Sequence, residues 1–479
     1  MAVARLKFLS KDEEDEVHEL SLKVLAEIGV KIDSDSVLGM VADAGAEVDR
    51  RTRVAKIPGT MVEEALRRAP KYFSISGRDP GYDIKLPAKT WPYVSLGGVT
   101  SWIEDFRTKK RRDATRKDLA DIARLADALD PVNAIWPLVT VRDVPPHSGF
   151  VNELWTCFQN TVKPIHGSAG SGTLGVPDAK VQISLGELIA GGPEQLRKKP
   201  TFTVLSCVIA PLMFEKGAVE AQCEYARAGV PVISMSMSVG GTTCPVTVAG
   251  TIVNANAENL ASLVLTQTAS PGAPQIYSSE STLVDPRTGF IGYKRPETVL
   301  IYTACGQMAS RYGLPKMTGI LGIEMENVGN PIPFGDTSSI LMSTLSGTDL
   351  CSGIGGLDSD GGCSMEEIVI DAHVWEDFRM TMRHVEITEE EAALDIMRQV
   401  GHGNSFLTNP HTIANFRKQM HIRDKMAEMI YRSSNAREIK NEAHKEVQRI
   451  LKDHEVPRLD KEVLRRGNEI VKDYERTKV

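Results

Sequence analysis

The sequence predicts an α/β fold, a (β/α)8 TIM barrel with an N-terminal α+β extension and C-terminal helices. Three observations lead there. From residue 93 onward, eight short apolar strands alternate with eight helical segments, the pattern of βα units around a parallel sheet. Two helix-to-strand junctions share one device, Ala228-Gly229-Val230-Pro231 and Tyr312-Gly313-Leu314-Pro315, where glycine ends the helix and proline starts the strand. The 479 residues suffice for one barrel with additions. A doubly wound open sheet, the nearest competitor, would not favour eight units.

Residues 1–90 read as the α+β extension. Helices are expected at 12–29, 34–44 and 61–69, with Val17, Leu20, Val24 and Ile28 on one face of the first. Strand-like runs lie at 54–57 and 72–76. The barrel is expected over 91–385. Its strands fall at 93–98, 134–139, 164–168, 202–209, 231–237, 274–279, 315–320 and 349–354. Helices follow at 115–129, 149–161, 179–189, 215–228, 246–267, 296–312, 337–345 and 364–380. Residues 386–479 form the C-terminal helical extension. A helix at 388–400 opens on a capping box, Thr388 with Glu391. The charged helical tail at 435–479 is expected to pack on the barrel or on a second subunit, and the chain to be a homo-oligomer.

Hydrophobic residues make up 42% and charged residues 25%, as in a globular protein, and the net charge is −7. That balance argues against nucleic acid and anionic membranes, which need clustered positive charge. No uncharged apolar run reaches the roughly 18 residues of a membrane span, and the first ten residues lack the apolar region of a signal peptide. Seven scattered cysteines include no C-x-x-C pair, which fits a reducing cytoplasm and no bound metal.

In such a barrel the chemistry sits at the carboxyl ends of the strands. Those positions are rich in Gly and Ser, leaving room for something large. Aromatic residues gather near them, among them Tyr93, Trp136, Tyr277 and Phe334. Ring faces hold a quaternary ammonium, which cannot donate a hydrogen bond; the same rings also read as barrel-lip packing. Glu324 and Glu326 follow the seventh strand and read either as cation-attracting groups or as solvated carboxylates. His166 ends the third strand. It reads as a carboxylate partner or proton donor in the mouth, or as a barrel histidine satisfied by its neighbours. Lys163 and Lys316 precede or start their strands, the wrong end for Schiff-base chemistry. Phosphate-loop, zinc-protease and dinucleotide fingerprints are missing.

Several segments resemble the trimethylamine methyltransferase superfamily: Arg112-Asp113-Ala114-Thr115-Arg116-Lys117-Asp118, the run from Gly241 through Cys244-Pro245 to Gly250, and Asn256-Ala257-Glu258. Pro271-Gly272-Ala273-Pro274, Arg311-Tyr312-Gly313-Leu314-Pro315, Leu345-Ser346-Gly347 and Asn409-Pro410-His411-Thr412 add to the likeness. The resemblance implies the same barrel, and transfer of a methyl group from an amine to the cobalt of a small corrinoid protein. The archaeal trimethylamine enzymes carry pyrrolysine in a strand-seven loop. Its counterpart here is Glu324-Met325-Glu326, with neither pyrrolysine nor lysine. The chain thus resembles the group without pyrrolysine, whose best-known activity is glycine betaine methyltransfer.

The resemblance implies a quaternary amine donor, glycine betaine giving dimethylglycine, and cob(I)alamin supplied by a cognate corrinoid protein. Displacement from a quaternary nitrogen releases a neutral amine, so the protein need only bind, desolvate and align the donor. Trp136, Tyr93, Tyr277 and Phe334 are expected around the ammonium, with Glu324 or Glu326 adding attraction. His166, or less directly Arg311, is expected to take the carboxylate. Gly240, Gly241, Gly355 and Gly356 are expected to form a lip admitting the corrinoid. Carnitine, proline betaine and γ-butyrobetaine are alternative donors. A non-catalytic betaine-binding protein and a zinc-dependent corrinoid methyltransferase are alternatives of another kind.

Overall fold

The computed structural model describes residues 6–477 apart from 294, 321–326, 330–333, 360 and 433–434. Eight parallel strands form one sheet: β1 (Tyr93–Leu96), β2 (Val132–Ala134), β3 (Ile165–Ser168), β4 (Phe202–Val208), β5 (Val232–Ser236), β6 (Gln275–Ser279), β7 (Lys316–Ile320) and β8 (Leu350–Ile354). They pair in the order β3-β4-β5-β6-β7-β8-β1-β2. The ring closes where Ile135, just past β2, bridges Ile165: its N–H donates to Pro164 O (2.9 Å) and its carbonyl accepts from His166 N–H (2.8 Å). Each strand is followed by a helix: α1 (Arg116–Ala128), α2 (Gly149–Asn160), α3 (Gly175–Ala190), α4 (Lys216–Ala228), α5 (Val248–Ala269), α6 (Pro296–Tyr312), α7 (Phe334–Leu345) and α8 (Met365–Thr381). The second strand is shorter and earlier than the sequence pattern suggests. Pro137 has no N–H to donate, so beyond Trp136 the ladder survives only as isolated bridges at Val139 and Val141.

The helix ends follow their local chemistry. Thr115 caps α1 with a capping box, its side chain accepting from Asp118 N–H while Asp118 reaches back. Gly229 and Gly313 close α4 and α6 at φ 79° and 65°, the left-handed conformation expected of both junctions. The helix expected at 388–400 is two pieces, Glu389–Ala392 and Leu394–Val400, separated by Ala393 at φ 53°.

The first helix also departs from its expected face. It is α-helical over Lys11–Lys23 and then widens into a π-turn, Val24–Ile28. The extra residue in that turn rotates the buried face. Leu25 is buried, whereas Leu20 and Ile28 are exposed. Leu25 joins Val37, Leu38 and Val62 against Ile252 of α5 and Ile301 and Met308 of α6 in one apolar cluster. A polar chain threads the same contact: Asn256 Nδ2 donates to Ser21 Oγ (2.9 Å) and to Tyr312 OH (2.9 Å). The N-terminal sheet runs Met213–Phe214, Val30–Ile32, Val54–Lys56, Glu47–Asp49. Its edge strand thus comes from the loop after β4.

The C-terminal helices clamp the barrel's flank. Lys461–Glu475 lies on α2, where a Cβ at Gly467 would stand 2.1 Å from the Trp155 ring. Trp155 Nε1 donates to Asn468 Oδ1 (2.8 Å). Among the described residues, four histidines meet carboxylates across this seam: His421–Asp377 (2.6 Å), His454–Asp127 (2.8 Å), His444–Glu366 (2.8 Å) and His373, which faces both Glu446 (3.4 Å) and Asp424 (3.7 Å). Among the described residues, no helix is long and apolar enough to cross a membrane.

Burial alone would lower the pKa of His373, but its hydrogen bond to Glu446 and the charges of Asp424 and Asp377 leave it raised above 6.5. A raised histidine pKa gives a contribution complete below the unfolded value and lost as pH climbs through the folded one. Amide protection of the helix Ala436–Asp453 is therefore expected to fall as pH rises above 6.5 through the raised folded-state value, and to lose that slope in His373→Gln. Hydrogen exchange read by mass spectrometry checks this, and flat protection in the wild-type chain would remove the ion pair from the clamp.

Candidate functional site at the barrel mouth

Strand alternation decides which side chains face the lumen. Ser206 Oγ donates to Gln222 of α4 (2.9 Å), Ser236 Oγ to Glu258 of α5 (2.6 Å) and Tyr277 OH to Asn256 of α5 (3.1 Å). Those residues point outward, so their strand neighbours Leu205, Cys207, Met235, Ile276 and Ser278 point inward. The register agrees, pairing Cys207 with Met235 and Met235 with Ser278.

The lumen has two levels. At its floor, His166 is fully buried, and its Nδ1 lies 2.7 Å from Thr203 Oγ1. Trp136 stands edge-on to it, with ring centroids 5.9 Å apart. His166 Nε2 and Trp136 Nε1 are buried and have no hydrogen-bond partner among the described residues. Burial pushes the His166 pKa down to about 4, so the ring is neutral at pH 7. The tautomer in which the Thr203 hydroxyl donates to Nδ1 puts the ring proton on Nε2. In that tautomer both His166 Nε2 and Trp136 Nε1 are N–H donors at the floor.

Nearer the mouth, Cys207 and Met237 are reached by solvent, their sulfurs 4.0 Å apart. Packing on its flanks, together with the nearby charge of Glu280, raises the Cys207 thiol to about 12. Behind this wall, Glu258 is buried beneath the loops after β4 and β5. It accepts from Leu212 N–H (2.9 Å), Ser236 Oγ (2.6 Å), Ser238 Oγ (3.1 Å) and Asn254 Nδ2 (2.9 Å). Burial raises its pKa against the pull of those four donors. Ser281 Oγ accepts from Ser238 N–H (3.1 Å), carrying the network to the segment after β6.

The structure brings Trp136 and His166 together and sends other expected residues elsewhere. Tyr277 faces outward into the α5–α6 cluster, because its parity in β6 is opposite to that of Ser278. Tyr93 is the first residue of β1, at the foot of the barrel, where its hydroxyl meets Lys85 N–H (3.5 Å). Arg311 lies in the last turn of α6, also at the foot, paired with Asp15. Gly240 is buried against Leu283 and Thr251, whereas Gly241 is exposed at φ 92°. Gly355 and Gly356 are buried rather than open to a visitor: a Cβ on Gly355 would stand 2.4 Å from Ile368, and Gly356 pairs with Cys363. Glu324, Glu326 and the Phe334 side chain lie outside the described residues. Among the described residues, no cluster of three or more His, Cys, Asp or Glu could hold a metal ion. Sequence reasoning put Met237 and Glu280 at carboxyl ends of strands without giving them a role, and passed over Cys207. Strand parity would have found them, but parity is hidden when both faces of a strand are buried.

A family model described as trimethylamine methyltransferase (MTTB) matches residues 1–477. The chain is 30% identical to the trimethylamine methyltransferase MttB of Desulfitobacterium hafniense (strain DSM 10664 / DCB-2), over 96% of this chain and 92% of that one. It is 26% identical to the glycine betaine methyltransferase of Desulfitobacterium hafniense (strain Y51), over 96% and 95%. The Methanosarcina barkeri monomethylamine methyltransferase (MtmB) structure superposes with a TM-score of 0.53 at 13% identity, over 92% of this chain and 88% of that one; that likeness concerns the fold.

The floor geometry has a direct spectroscopic consequence. His166 is expected to keep a neutral, Nε2-protonated ring down to about pH 5 in nitrogen-15 NMR, titrating only near 4. The unfolded chain takes up that proton near 6.5, so His166 lowers stability as pH falls from there toward 4. A folded-state midpoint at or above 6.5 would contradict the buried placement.

Proposed function

The chain belongs to the trimethylamine methyltransferase family, and from that we propose that it moves a methyl group from a quaternary amine, glycine betaine, to the Co(I) of a corrinoid on a partner protein. The neutral imidazole of His166 carries this reading. A tertiary amine bound as its neutral free base would need a proton as its C–N bond breaks. His166, titrating near 4, has none to give at pH 7. From a quaternary nitrogen the C–N electron pair stays on nitrogen and a neutral tertiary amine departs, here dimethylglycine. The Glu324-Met325-Glu326 stretch, without lysine or pyrrolysine, and the likeness to a glycine betaine methyltransferase support the same donor.

The corrinoid, held by its own protein, supplies the Co(I) nucleophile. The residues around the mouth suit such a visitor: Ile209, Val246, Phe290 and Ile291, on the loops after β4, β5 and β6, are exposed and apolar. Within the lumen, the two floor donors, His166 Nε2–H and Trp136 Nε1–H, suit the substrate carboxylate. A carboxylate anchored there turns the ammonium and its methyl groups toward the mouth, in line with an approaching nucleophile. Glu324 and Glu326 keep a proposed part in attracting the cation, on sequence position alone. Exposed Ile387, Leu407 and Ile413 on the C-terminal extension support assembly into a homo-oligomer.

The test is to mix the pure chain with reduced cob(I)alamin, with and without a corrinoid protein, and a panel of quaternary and tertiary amines. Spectral conversion to methylcobalamin is expected with glycine betaine and not with trimethylamine. No conversion with any quaternary amine would overturn the proposal. His166→Gln and Trp136→Phe are expected to weaken glycine betaine roughly tenfold while sparing tetramethylammonium, which has no carboxylate. Equal losses on both donors would reject the floor as the carboxylate site.

A further inference from the structure

A neutral imidazole can face the lumen as a donor or as an acceptor, and its tautomer decides which. For His166 the deciding neighbour stands across the ladder. His166 of β3 and Thr203 of β4 are register partners, and Thr203 shares the inward parity of Leu205 and Cys207. Both side chains are fully buried, with Thr203 Oγ1 2.7 Å from His166 Nδ1. The two tautomers leave different groups unmet. When the Thr203 O–H donates to Nδ1, the ring lacks a partner only at Nε2–H. When Nδ1–H donates to Thr203 instead, the hydroxyl proton has no other acceptor among the described residues, and the Nε2 lone pair is unmet as well. A buried hydroxyl proton without an acceptor is costly. Trp136 could relieve the second tautomer by donating Nε1–H to Nε2, but that bond does not form. Both nitrogens are unpartnered, and the rings meet edge-on with centroids 5.9 Å apart. The surroundings therefore favour the first tautomer.

We propose that Thr203 is the positioning residue of this site: its hydroxyl holds the His166 ring in one rotation and in the Nε2–H tautomer, and so makes the floor select a carboxylated amine. The assignment rests on the quaternary-amine reading and adds the group that gives the floor its polarity. Thr203 acts through His166, with its one hydrogen bond spent on the ring. A valine there would fill nearly the same volume and suit a strand, but would leave the ring free to turn a lone pair toward the lumen. A lone pair repels a carboxylate, so only the fraction of chains with Nε2–H in place would bind well.

The test combines nitrogen-15 NMR of the histidine rings with calorimetric titration of glycine betaine and tetramethylammonium, all on the full chain. Thr203→Val is expected to replace the single Nε2–H signature of His166 with a mixture of tautomers. It should weaken glycine betaine roughly fivefold and leave tetramethylammonium within about twofold. Thr203→Ser keeps the hydroxyl and is expected to restore both readouts. In methyl transfer from glycine betaine to cob(I)alamin, the loss in Thr203→Val should fall on KM, with kcat within about twofold. Should Val fail to fold, Thr203→Cys gives the same comparison, because S–H is a weak donor. A Val variant that keeps the pure Nε2–H form overturns the role of Thr203 and leaves the quaternary-amine reading standing. A shifted tautomer with unchanged glycine betaine affinity overturns the floor as the carboxylate site, and the part of Thr203 in recognition with it. Equal losses on both ligands would mark Thr203 as structural and reject the proposal.

Discussion

A buried carboxylate organises the mouth of this barrel. Taking Glu258 out of water is costly unless its oxygens are fully engaged. They are engaged by groups from three places: the Leu212 amide after β4, the Ser236 and Ser238 hydroxyls at the end of β5, and Asn254 one turn back on α5. Satisfying one residue therefore fixes two adjacent loops. Ser281 extends the tie to the third. The positions of Cys207, Met237 and Glu280 follow, because each sits on a strand end or loop whose backbone this network holds. The lumen is preorganised by a group that does not itself face it.

The segments that reveal the family turn out to be structural where they are described. Arg112 of the first motif makes a two-pronged contact with Asp118 (2.8 and 2.7 Å) and a third with Asp105 (2.7 Å), binding the β1–α1 connection to its own helix. Asn256 stitches the N-terminal helix to α6 through Ser21 and Tyr312. Arg311 pairs with Asp15 at the opposite end of the barrel from the mouth. Glu258 belongs to the same group of motifs and acts from behind the wall. The residues proposed to meet the substrate lie outside these motifs, which hold the fold.

Most of the architecture was legible in the sequence because it depends on local signals. Glycine and proline punctuation marked the α4–β5 and α6–β7 junctions, and eight apolar runs gave eight strands. What escaped depends on register or on neighbours. Pro137 moved the second strand toward its start, and a π-turn rotated the first helix. Gly355 resembled a flexible lip in sequence, but Ile368 fills the space its side chain would take. Trp136 and His166, both expected at strand ends, lie side by side in the lumen, His166 deeper than expected as the second residue of β3, whereas Tyr277, chosen for its ring, faces outward. Only pairing across β4, β5 and β6 separates its side of the strand from that of Glu280.

The N-terminal sheet has an edge strand lent by residues Met213–Phe214, which pair with Val30–Ile32 in parallel. During synthesis the first ninety residues leave the ribosome long before that partner exists. Their sheet stays incomplete, with Val30–Ile32 exposing unpaired amides, until four of the barrel's eight strands have followed. The two regions are consequently obliged to mature together, and a protein made of the leading segment alone would carry an open edge prone to self-association.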